Sequence, residues 1–265
     1  MEVIIAPDVA QASQLVVDIV TRLLIRQPGA NLGLATGSTF LVAYEALIKS
    51  HVSGTVSFED ATAFLLDEYL GLEAAHPQGY EAFIRRVLID NIDLQDDRLL
   101  APSCGAAVDG AAVCRACSDF EAAIRAAGGI DLQLLGIGAD GHIGFNEPGS
   151  SLSSRTRLKT LTEGTRADNA RFFEHGLEEV PMHVLTQGIG TICDARHLVL
   201  LATGEAKASS LAAAVEGPVT AMVPASALQL HPHVTVIVDA GAARDLALAD
   251  YYKHVYRNKP AWQES

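Results

Sequence analysis

Three titratable side chains lie close together in a glycine-rich stretch near the middle of the chain. Asp140 comes two residues before His142 and Glu147 comes five residues after it, within the sequence DLQLLGIGADGHIGFNEPGSS. An imidazole between two carboxylates can act as an acid–base relay, because the acids fix the ring tautomer and raise its basicity while the ring exchanges protons near neutral pH. We therefore predict that this stretch carries acid–base chemistry.

A buried strand and a glycine-rich turn should position these side chains. The strand is indicated by a short apolar run that ends in glycines, which is typical of a strand buried on both faces of a parallel sheet. Its apolar residues are Leu132, Leu134, Leu135 and Ile137. The glycines at positions 136, 138, 141 and 144 then relieve steric limits on the backbone, so that the three side chains can point toward one place.

The first three of these glycines also match the fingerprint of a dinucleotide-binding turn, G-x-G-x-x-G after a strand. That fingerprint requires a helix that opens at the third glycine and binds the pyrophosphate at its N-terminus. Helix breakers follow within one turn: Gly144, Asn146, Pro148 and Gly149. We therefore reject a dinucleotide site.

Two other strand ends carry polar residues. A predicted strand over Asn31–Ala35 leads into the small-residue turn Thr36–Thr39 and then a helix, which offers backbone N–H groups and hydroxyls to an anion. An ordinary helix cap explains the same turn. A strand over Ala61–Leu66 ends at Asp67 and Glu68. Because side chains alternate in direction on an extended chain, we expect one acid to face a pocket and the other to be solvated or ion-paired.

Strands and helices alternate along the chain, which predicts an α/β fold. We expect a single domain over residues 1–265 with a mostly parallel sheet and helices on both faces, a Rossmann-like three-layer sandwich. In such sheets ligands bind beyond the carboxyl ends of the strands, near the point where the strand order reverses. Four segments follow predicted strands and should share this edge: Gly37–Thr39, Asp67, Asp140–Glu147 and Gly204–Lys207.

Polar residues dominate from Ser150 to Pro181, and we interpret residues 160–182 as a lid segment. Within this region the pattern indicates a strand near Leu158–Leu161 and a helix around Thr165–Phe173. Further helices are expected over Leu185–Ala195 and Ala242–Val255.

Composition excludes several classes of protein. The net charge of −13 disfavours binding to nucleic acid or to an anionic membrane surface. No apolar run approaches the ~18 residues of a membrane span and the N-terminus lacks the basic start of a secretory signal, so we expect a soluble, cytoplasmic protein. Cys114 and Cys117 form a C-x-x-C pair without a second ligand pair, and we interpret them as helix packing rather than a redox or metal site.

Several longer runs resemble the glucosamine-6-phosphate deaminase family over nearly the whole chain. They are LGLATGST, FLLDEYLGL, LLGIGADGHIGFNEPGSSLSSRTRLKTLT, TRADNARFF, VPMHVLTQGIGTICDA and ALQLHP. The run from Asp-Gly-His to Phe-Asn-Glu-Pro is specific to this family, whereas Gly-x-Asp-Gly-His alone would also suit the related 6-phosphogluconolactonases. Members of the family convert glucosamine 6-phosphate and water to fructose 6-phosphate and ammonia, without a metal or an organic cofactor.

The resemblance implies a role for each candidate residue. Asp67 would be the base that moves a proton from C2 to C1 of the opened sugar, and Glu68 would stay outside the mechanism. Asp140, His142 and Glu147 would open the pyranose ring. The implied phosphate-binding residues are Gly37, Ser38, Thr39, Arg171 and Lys207, whose donors would hold a dianion in an acidic protein.

The resemblance also raises the question of regulation. Some members of the family are hexamers activated by N-acetylglucosamine 6-phosphate at a site between subunits. The residues that match this site are Ser150, Arg157, Lys159 and Thr160. A solvated loop would give the same pattern, so an activator and a homo-oligomer both stay open at this point.

The chain departs from the usual family pattern near the expected site. Phe40 replaces a common proline, Gly144 a common alanine, and Pro224 a residue with a hydroxyl. These changes spare the catalytic candidates but affect the pocket that would distinguish glucosamine from galactosamine 6-phosphate, which differ at C4. A deaminase for another hexosamine phosphate, a 6-phosphogluconolactonase-like hydrolase and a non-catalytic sugar-phosphate sensor are therefore the alternatives.

Overall fold

A computed structural model describes residues 1–72, 76–105, 107–170, 173, 176–260 and 263 of the chain. Its main sheet has seven strands, all parallel to their neighbours. In spatial order they are β1 (Glu2–Ile5), β10 (Val234–Val238), β9 (His197–Ala202), β6 (Leu132–Leu135), β2 (Asn31–Leu34), β3 (Thr62–Leu65) and β5 (Leu99–Leu100).

Helices cover both faces of this sheet. Every residue of the four central strands β2, β6, β9 and β10 is buried, and successive side chains point to opposite faces, so neither face is open to solvent. The helices are α1 (Val9–Arg26), α2 (Leu41–Val52), α3 (Tyr80–Val87), α4 (Gly110–Ala126), α5 (Glu163–Asn169), α6 (Ile189–Cys193), α7 (Ala208–Val215) and α8 (Ala249–Arg257). The predicted α/β sandwich is thus confirmed. Within the described ranges, no helix has the length and apolar content needed to cross a membrane.

Helix α1 shows how the sequence forms these elements. The Asp8 side chain caps its N-terminus by accepting a hydrogen bond from the backbone N–H of Gln11 at 2.8 Å. Buried residues then recur at helical spacing, as at Val16, Val20 and Leu24, and this face packs on α2 and on strands β9 and β10. Each such side chain contributes roughly 1.5–3 kcal/mol when it is fully buried.

A second sheet, which the sequence pattern did not predict, lies beside the first. It is antiparallel and contains β4 (Asp67–Tyr69), β8 (His183–Thr186) and β7 (Arg157–Thr160), with β8 in the middle. Asp67 therefore belongs to a strand of its own rather than to a loop after β3. The backbone N–H of Gln187 bonds to the carbonyl oxygen of Leu66 at 2.7 Å and ties the end of β8 to the end of β3.

The helix expected over Leu185–Ala195 is wrong in its first half. These residues begin in β8, where Leu185 is buried and paired on both sides, and only α6 is helical. Gly188 approaches the backbone of Ser154 so closely that any Cβ would overlap its carbonyl group. The glycine therefore serves a close packing contact, which a helical reading of the sequence missed.

Other element boundaries shift by a few residues. The strand expected near Leu158–Leu161 is β7, and the helix expected around Thr165–Phe173 is α5, which starts earlier because Thr162 caps it. The C-terminal helix expected over Ala242–Val255 is α8. It begins only at Ala249, because the chain forms turns before that residue.

The strand order of the main sheet reverses between β2 and β6. From β2 the chain continues to β3 and β5 on one side, and it then returns to place β6 on the other side of β2. Because all these strands are parallel, the loops that follow β2, β3, β6 and β9 emerge at the same edge. The reversal point is where a ligand crevice forms in open α/β sheets.

Candidate active site

A cleft of about 580 Å³ opens at this edge of the main sheet. Residues from all four predicted segments line it: Gly37–Thr39, Asp67, His142 and Lys207. The volume falls within the range of small-molecule sites, roughly 300–1,000 Å³. The structure therefore brings the main candidates together, whereas Arg171 lies outside the described residues.

Asp140, His142 and Glu147 are in mutual contact. Nδ1 of His142 lies 2.7 Å from Oδ1 of Asp140 and 3.8 Å from Oε2 of Glu147. The Asp140 carboxylate also accepts a hydrogen bond from the backbone N–H of His142 at 3.1 Å, which closes the turn between them. Both carboxylates approach the same ring nitrogen, so the imidazole is in contact with both acids but does not lie between them as expected.

The glycine-rich turn lets the imidazole lie directly against the backbone. The N–H of Gly138 donates to the carbonyl oxygen of His142 at 2.9 Å, and any Cβ on Gly138 would overlap the His142 ring. Gly141 has a φ of +86°, a conformation that side chains disfavour. The chain then forms a bridge between Ile143 and Asn146, so no helix opens at the third glycine.

The two acids of this cluster have different environments. The hydrogen bond with His142 holds the pKa of the exposed Asp140 below its usual range. Burial raises the pKa of Glu147, although a hydrogen bond from Thr165 opposes this shift. Two carboxyl groups with unequal proton affinity on one imidazole are what an acid–base relay requires.

Asp67 faces the same cleft from strand β4. It is buried, and among the described residues no group donates a hydrogen bond to its carboxylate. Burial, together with the neighbouring charge of Glu68, raises the pKa of Asp67 well above its ordinary value. A buried carboxyl group without partners is costly, and such groups cluster at functional sites.

Glu68 is neither solvated nor ion-paired, contrary to the expectation for the second acid. Its buried carboxylate accepts hydrogen bonds from the backbone N–H groups of Tyr69 at 2.7 Å, Tyr80 at 3.0 Å and Glu81 at 2.8 Å. Tyr80 and Glu81 form the first turn of α3, so Glu68 caps that helix from a separate segment. The expectation was wrong because the sequence pattern does not show that α3 begins against β4.

The turn after β2 is braced from behind by aromatic side chains. Gly37 has a φ of +110° and bends the chain toward the cleft. The Tyr44 hydroxyl donates to the carbonyl oxygen of Ala35 at 2.5 Å, and its ring stacks on Phe40 with centroids 5.7 Å apart. Phe40, which departs from the family pattern, is therefore buried support for the turn as well as part of the cleft wall.

The turn after β9 forms another part of the wall. Gly204 has a φ of +84°, and its N–H donates to the carboxylate of Asp239 at 3.0 Å, which fixes the turn to the end of β10. Lys207 follows on the same turn and lines the cleft. A lysine and the start of a helix on one wall suit a phosphate group.

The side chains of Asp140, His142 and Glu147 also offer ligand atoms to a cation. Ligand atoms of Asp140, His142 and Glu147 lie within 4.8 Å of one another. However, Nδ1 of His142 lies at hydrogen-bonding distance from Asp140, and Oε1 of Glu147 accepts a hydrogen bond from Thr165 at 2.5 Å. The close approach of Asp140 to His142 favours proton sharing, and we interpret the cluster in that way, although Oε2 of Glu147 has no hydrogen-bond partner among the described residues.

Comparison with known proteins identifies the family. A sequence profile described as glucosamine-6-phosphate isomerases/6-phosphogluconolactonase matches residues 8–237. The chain belongs to this family. It is 57% identical over 263 residues to a glucosamine-6-phosphate deaminase of Streptomyces avermitilis, with 99% of both chains covered. The corresponding enzyme of Mycolicibacterium smegmatis is 54% identical over the same length and coverage.

Solved structures of the family agree with the fold described above. A monomeric glucosamine-6-phosphate deaminase superimposes with a TM-score of 0.88 at 38% identity, covering 92% of this chain and 100% of that chain. A 6-phosphogluconolactonase from Trypanosoma brucei has a TM-score of 0.75 at 19% identity, covering 93% and 98% of the two chains, and shows the fold alone. The resemblance inferred from the sequence is confirmed.

Several side chains of the cleft were not identified from the sequence. They are Tyr80, Phe145, Thr165 and Asn169. Thr165 and Asn169 are four residues apart on α5 and so share one helix face, a spacing that could have indicated them. Tyr80 offered no such signal, since its place in the cleft depends on the contact between α3 and Glu68.

Proposed function

We propose that this protein is a glucosamine-6-phosphate deaminase, which converts glucosamine 6-phosphate and water to fructose 6-phosphate and ammonia. One observation carries the proposal: Asp67, His142, Gly37–Thr39 and Lys207 line a single cleft. The reaction needs a base beside C2, a proton donor at the ring oxygen and an anchor for the phosphate. These residues supply all three functions, and relatives at 54–57% identity bear the deaminase name.

The first step of the proposed mechanism opens the sugar ring. His142, in contact with both acids, delivers a proton to the ring oxygen, and the C1 hydroxyl gives up its proton as the C1 carbonyl forms. Asp140 lies 2.7 Å from Nδ1 of His142 and holds the ring in position. Glu147, whose pKa burial raises, takes up or returns the second proton.

The second step moves a proton and releases ammonia. Asp67 removes the proton from C2 of the open aldose, and the same carboxyl group returns a proton to C1. The C2 amine loses a proton and the C1 oxygen gains one, so that the amine becomes an imine and the C1 carbonyl becomes a hydroxyl. Water then adds to C2, and ammonia leaves to give the ketose. The raised pKa of Asp67 supports the first part of this transfer, because a carboxylate with a higher proton affinity is a stronger base toward the C2 proton. The carboxyl group then keeps that proton until C1 accepts it.

The phosphate anchor and the lid belong to the same proposal. We propose that Gly37, Ser38 and Thr39 bind the phosphate together with Lys207, and that Arg171, which lies outside the described residues, adds a second cation. We also propose that residues 160–182 act as a lid. The position of Thr165 and Asn169 in the cleft wall supports this, because it places α5 beside the bound sugar.

An ammonia-release assay tests the proposal. Purified protein should release ammonia and fructose 6-phosphate from glucosamine 6-phosphate with a higher kcat/KM than from galactosamine or mannosamine 6-phosphate. Hydrolysis of 6-phosphogluconolactone without ammonia release would identify a lactonase instead, and binding without turnover would identify a sensor. The mannosamine arm is informative because mannosamine differs from glucosamine at C2, where Asp67 acts. Gly144 leaves space beside Asp67 that an alanine methyl would occupy, with a Cβ 3.6 Å from Oδ2 of Asp67.

The activator site also stays a prediction. Arg157 and Lys159 share one face of β7, and burial lowers the pKa of both groups. The Ser150 hydroxyl is buried without a hydrogen-bond partner among the described residues. Thr160 alternates to the other face, where its hydroxyl lies 3.2 Å from Nδ1 of His183. Rates measured with and without N-acetylglucosamine 6-phosphate, together with sedimentation to detect a hexamer, test this site.

The proposed substrate also bears on where the protein acts. A sugar phosphate is a dianion, and moving a charged group through hydrocarbon is costly, so it stays in the compartment where it is made. We therefore propose that the protein acts in the cytoplasm.

A further inference from the structure

We propose that Thr165 is a positioning residue, which holds the Glu147 carboxylate through its hydroxyl and so connects helix α5 to His142. The inference rests on the proposed function in one respect, namely that Glu147 takes part in ring opening. It assigns a task to a residue that the sequence comparison with the family did not single out.

A short chain of hydrogen bonds links the start of α5 to Glu147. The buried Thr165 hydroxyl donates to Oε1 of Glu147 at 2.5 Å. Thr162 caps α5 by accepting a hydrogen bond from the Thr165 backbone N–H at 3.1 Å, and its hydroxyl donates to the Thr165 oxygen at 3.0 Å. The alternative acceptor for Thr162, Oε1 of Glu147, is farther away at 3.4 Å. Thr165 is thus the main donor to Glu147.

This contact decides which oxygen of Glu147 faces the imidazole. With Oε1 held by Thr165, Oε2 lies 3.8 Å from Nδ1 of His142 and has no hydrogen-bond partner within the described part of the chain. Glu147 is buried, so water does not replace a missing donor easily. The Thr165 hydroxyl therefore sets the orientation of the carboxylate relative to the ring.

The same helix is attached to the cleft wall at its other end. The Asn169 side-chain amide donates to the Tyr69 hydroxyl at 3.0 Å, and Thr165 and Asn169 both line the cleft. A substrate that contacts this face of α5 therefore acts on Glu147 through Thr165. Movement of α5 away from the sheet would break the Thr165 to Glu147 hydrogen bond.

The electrostatic surroundings of Glu147 predict what its loss would do. The groups that face this carboxylate are Asp140, His142, Lys159, Thr162 and Thr165. Burial and Asp140 raise the pKa of Glu147, whereas the Thr165 hydrogen bond and His142 lower it. A hydroxyl that donates to a carboxylate favours the ionised form. Removing it should raise the pKa further, so the acidic limb of the pH–rate profile should move to higher pH.

Substitutions at Thr165 and at Thr156 test the inference. Thr165→Val removes the hydroxyl at nearly constant size, and Thr165→Ser keeps it. Thr156→Val is the matched control, because the Thr156 hydroxyl also donates to a buried glutamate, Oε1 of Glu121 at 2.7 Å, outside the cleft wall. If valine at a buried site disturbs folding, Thr165→Ala removes the hydroxyl without adding a methyl group.

Two readouts are used for each variant. The first is the pH dependence of kcat/KM for ammonia release. The second is the titration midpoint of the Glu147 carboxyl carbon in the free protein, followed by carbon-13 NMR and assigned with Glu147→Gln. The second readout needs no substrate, so it tests Thr165 even if the wild-type protein releases no ammonia and the proposed function fails.

Thr165→Val should raise the Glu147 midpoint by about 0.5–1 pH unit, as expected for one hydrogen bond to a charged group, and lower kcat/KM at neutral pH by roughly 3- to 10-fold. Thr165→Ser should restore both values, and Thr156→Val should change neither. An unchanged Glu147 midpoint in Thr165→Val, no rescue by serine, or an equal effect of Thr156→Val would each overturn the inference.

Discussion

Two buried carboxyl groups in this molecule have opposite environments. Glu121 on α4 accepts hydrogen bonds from the Thr156 backbone and hydroxyl, from the Thr191 hydroxyl and from Arg155. Burial raises the pKa of Glu121, but these hydrogen bonds outweigh burial and leave its pKa below the ordinary value. Asp67 accepts no hydrogen bond from the described residues, and burial raises its pKa.

This difference in hydrogen bonding indicates that the Glu121 carboxylate is structural, whereas the Asp67 carboxylate is available for chemistry. Glu121 joins α4 to the chain before β7 and to α6, and each of its bonds is formed within the protein. Asp67 faces the cleft, where its lone pairs remain free for a substrate. A buried charge without partners lowers stability, so a folded chain retains it only where function requires it.

The largest expected effect follows from neutralising the free carboxyl group. Asp67→Asn should lower kcat by about 10³-fold, since general acid–base catalysis typically contributes 10²- to 10⁴-fold. The free energy of unfolding of the same variant should be about 1–2 kcal/mol higher than that of the wild type at neutral pH, because the substitution removes a buried carboxylate that has no partner. Kinetics and urea unfolding on the two proteins measure both changes.

The pH dependence of this stability difference has a definite sign. The folded-state pKa of Asp67 is raised above its unfolded value of 3.8, so its contribution to stability is present below that pH and is lost as pH rises through the folded pKa. The advantage of Asp67→Asn should therefore grow from about pH 4 upward. An advantage that stays constant with pH would show that the carboxyl group is not destabilised in the folded state.

The second prediction concerns Glu121, whose carboxylate accepts several hydrogen bonds. Glu121→Gln should lower the free energy of unfolding by about 2–3 kcal/mol, because it removes a charge that several donors share and leaves some of them unpaired. The kcat of the folded enzyme should stay within about twofold of wild type. Because the folded pKa of Glu121 is lowered, the loss should be present above its ordinary pKa of 4.5 and shrink as pH falls through the folded value. A large fall in kcat would contradict the separation drawn between the two acids.

The sequence predicted the main sheet well because of how its strands are buried. A strand such as Val234–Val238 is covered on both faces, so a short apolar run has few other interpretations. The second sheet was missed because β4 has only three residues and directly follows another strand. The residues of β8 from Leu185 onward were interpreted as part of a helix despite the glycines that follow, whereas Gly188 makes a close contact with the backbone of Ser154.

The site was predictable where its residues are near one another in sequence. Asp140, His142 and Glu147 lie in one turn, and the strand-end rule located Asp67 and the turn after β2. The cap that Glu68 provides to α3 and the hydrogen bond from Thr165 to Glu147 were not predictable, because both join segments whose packing only the fold defines. Long-range contacts of this kind also decide whether a buried acid is satisfied.

The smallest expected effect tests whether the cleft depends on the backbone turn as well as on its charges. Gly138→Ala places a Cβ where the His142 ring now lies, so the ring must move and its 2.7 Å contact with Asp140 should be lost. Because small displacements of a reacting group can be costly, we expect kcat to fall by about 10-fold, with a stability loss of about 1 kcal/mol. Gly110→Ala is the control, since a Cβ there meets no atom within 4 Å. If Gly138→Ala kept the wild-type kcat, the acidic neighbours of His142 alone would set the position of its ring. The turn would then contribute to stability without affecting catalysis, as the Glu121 region does.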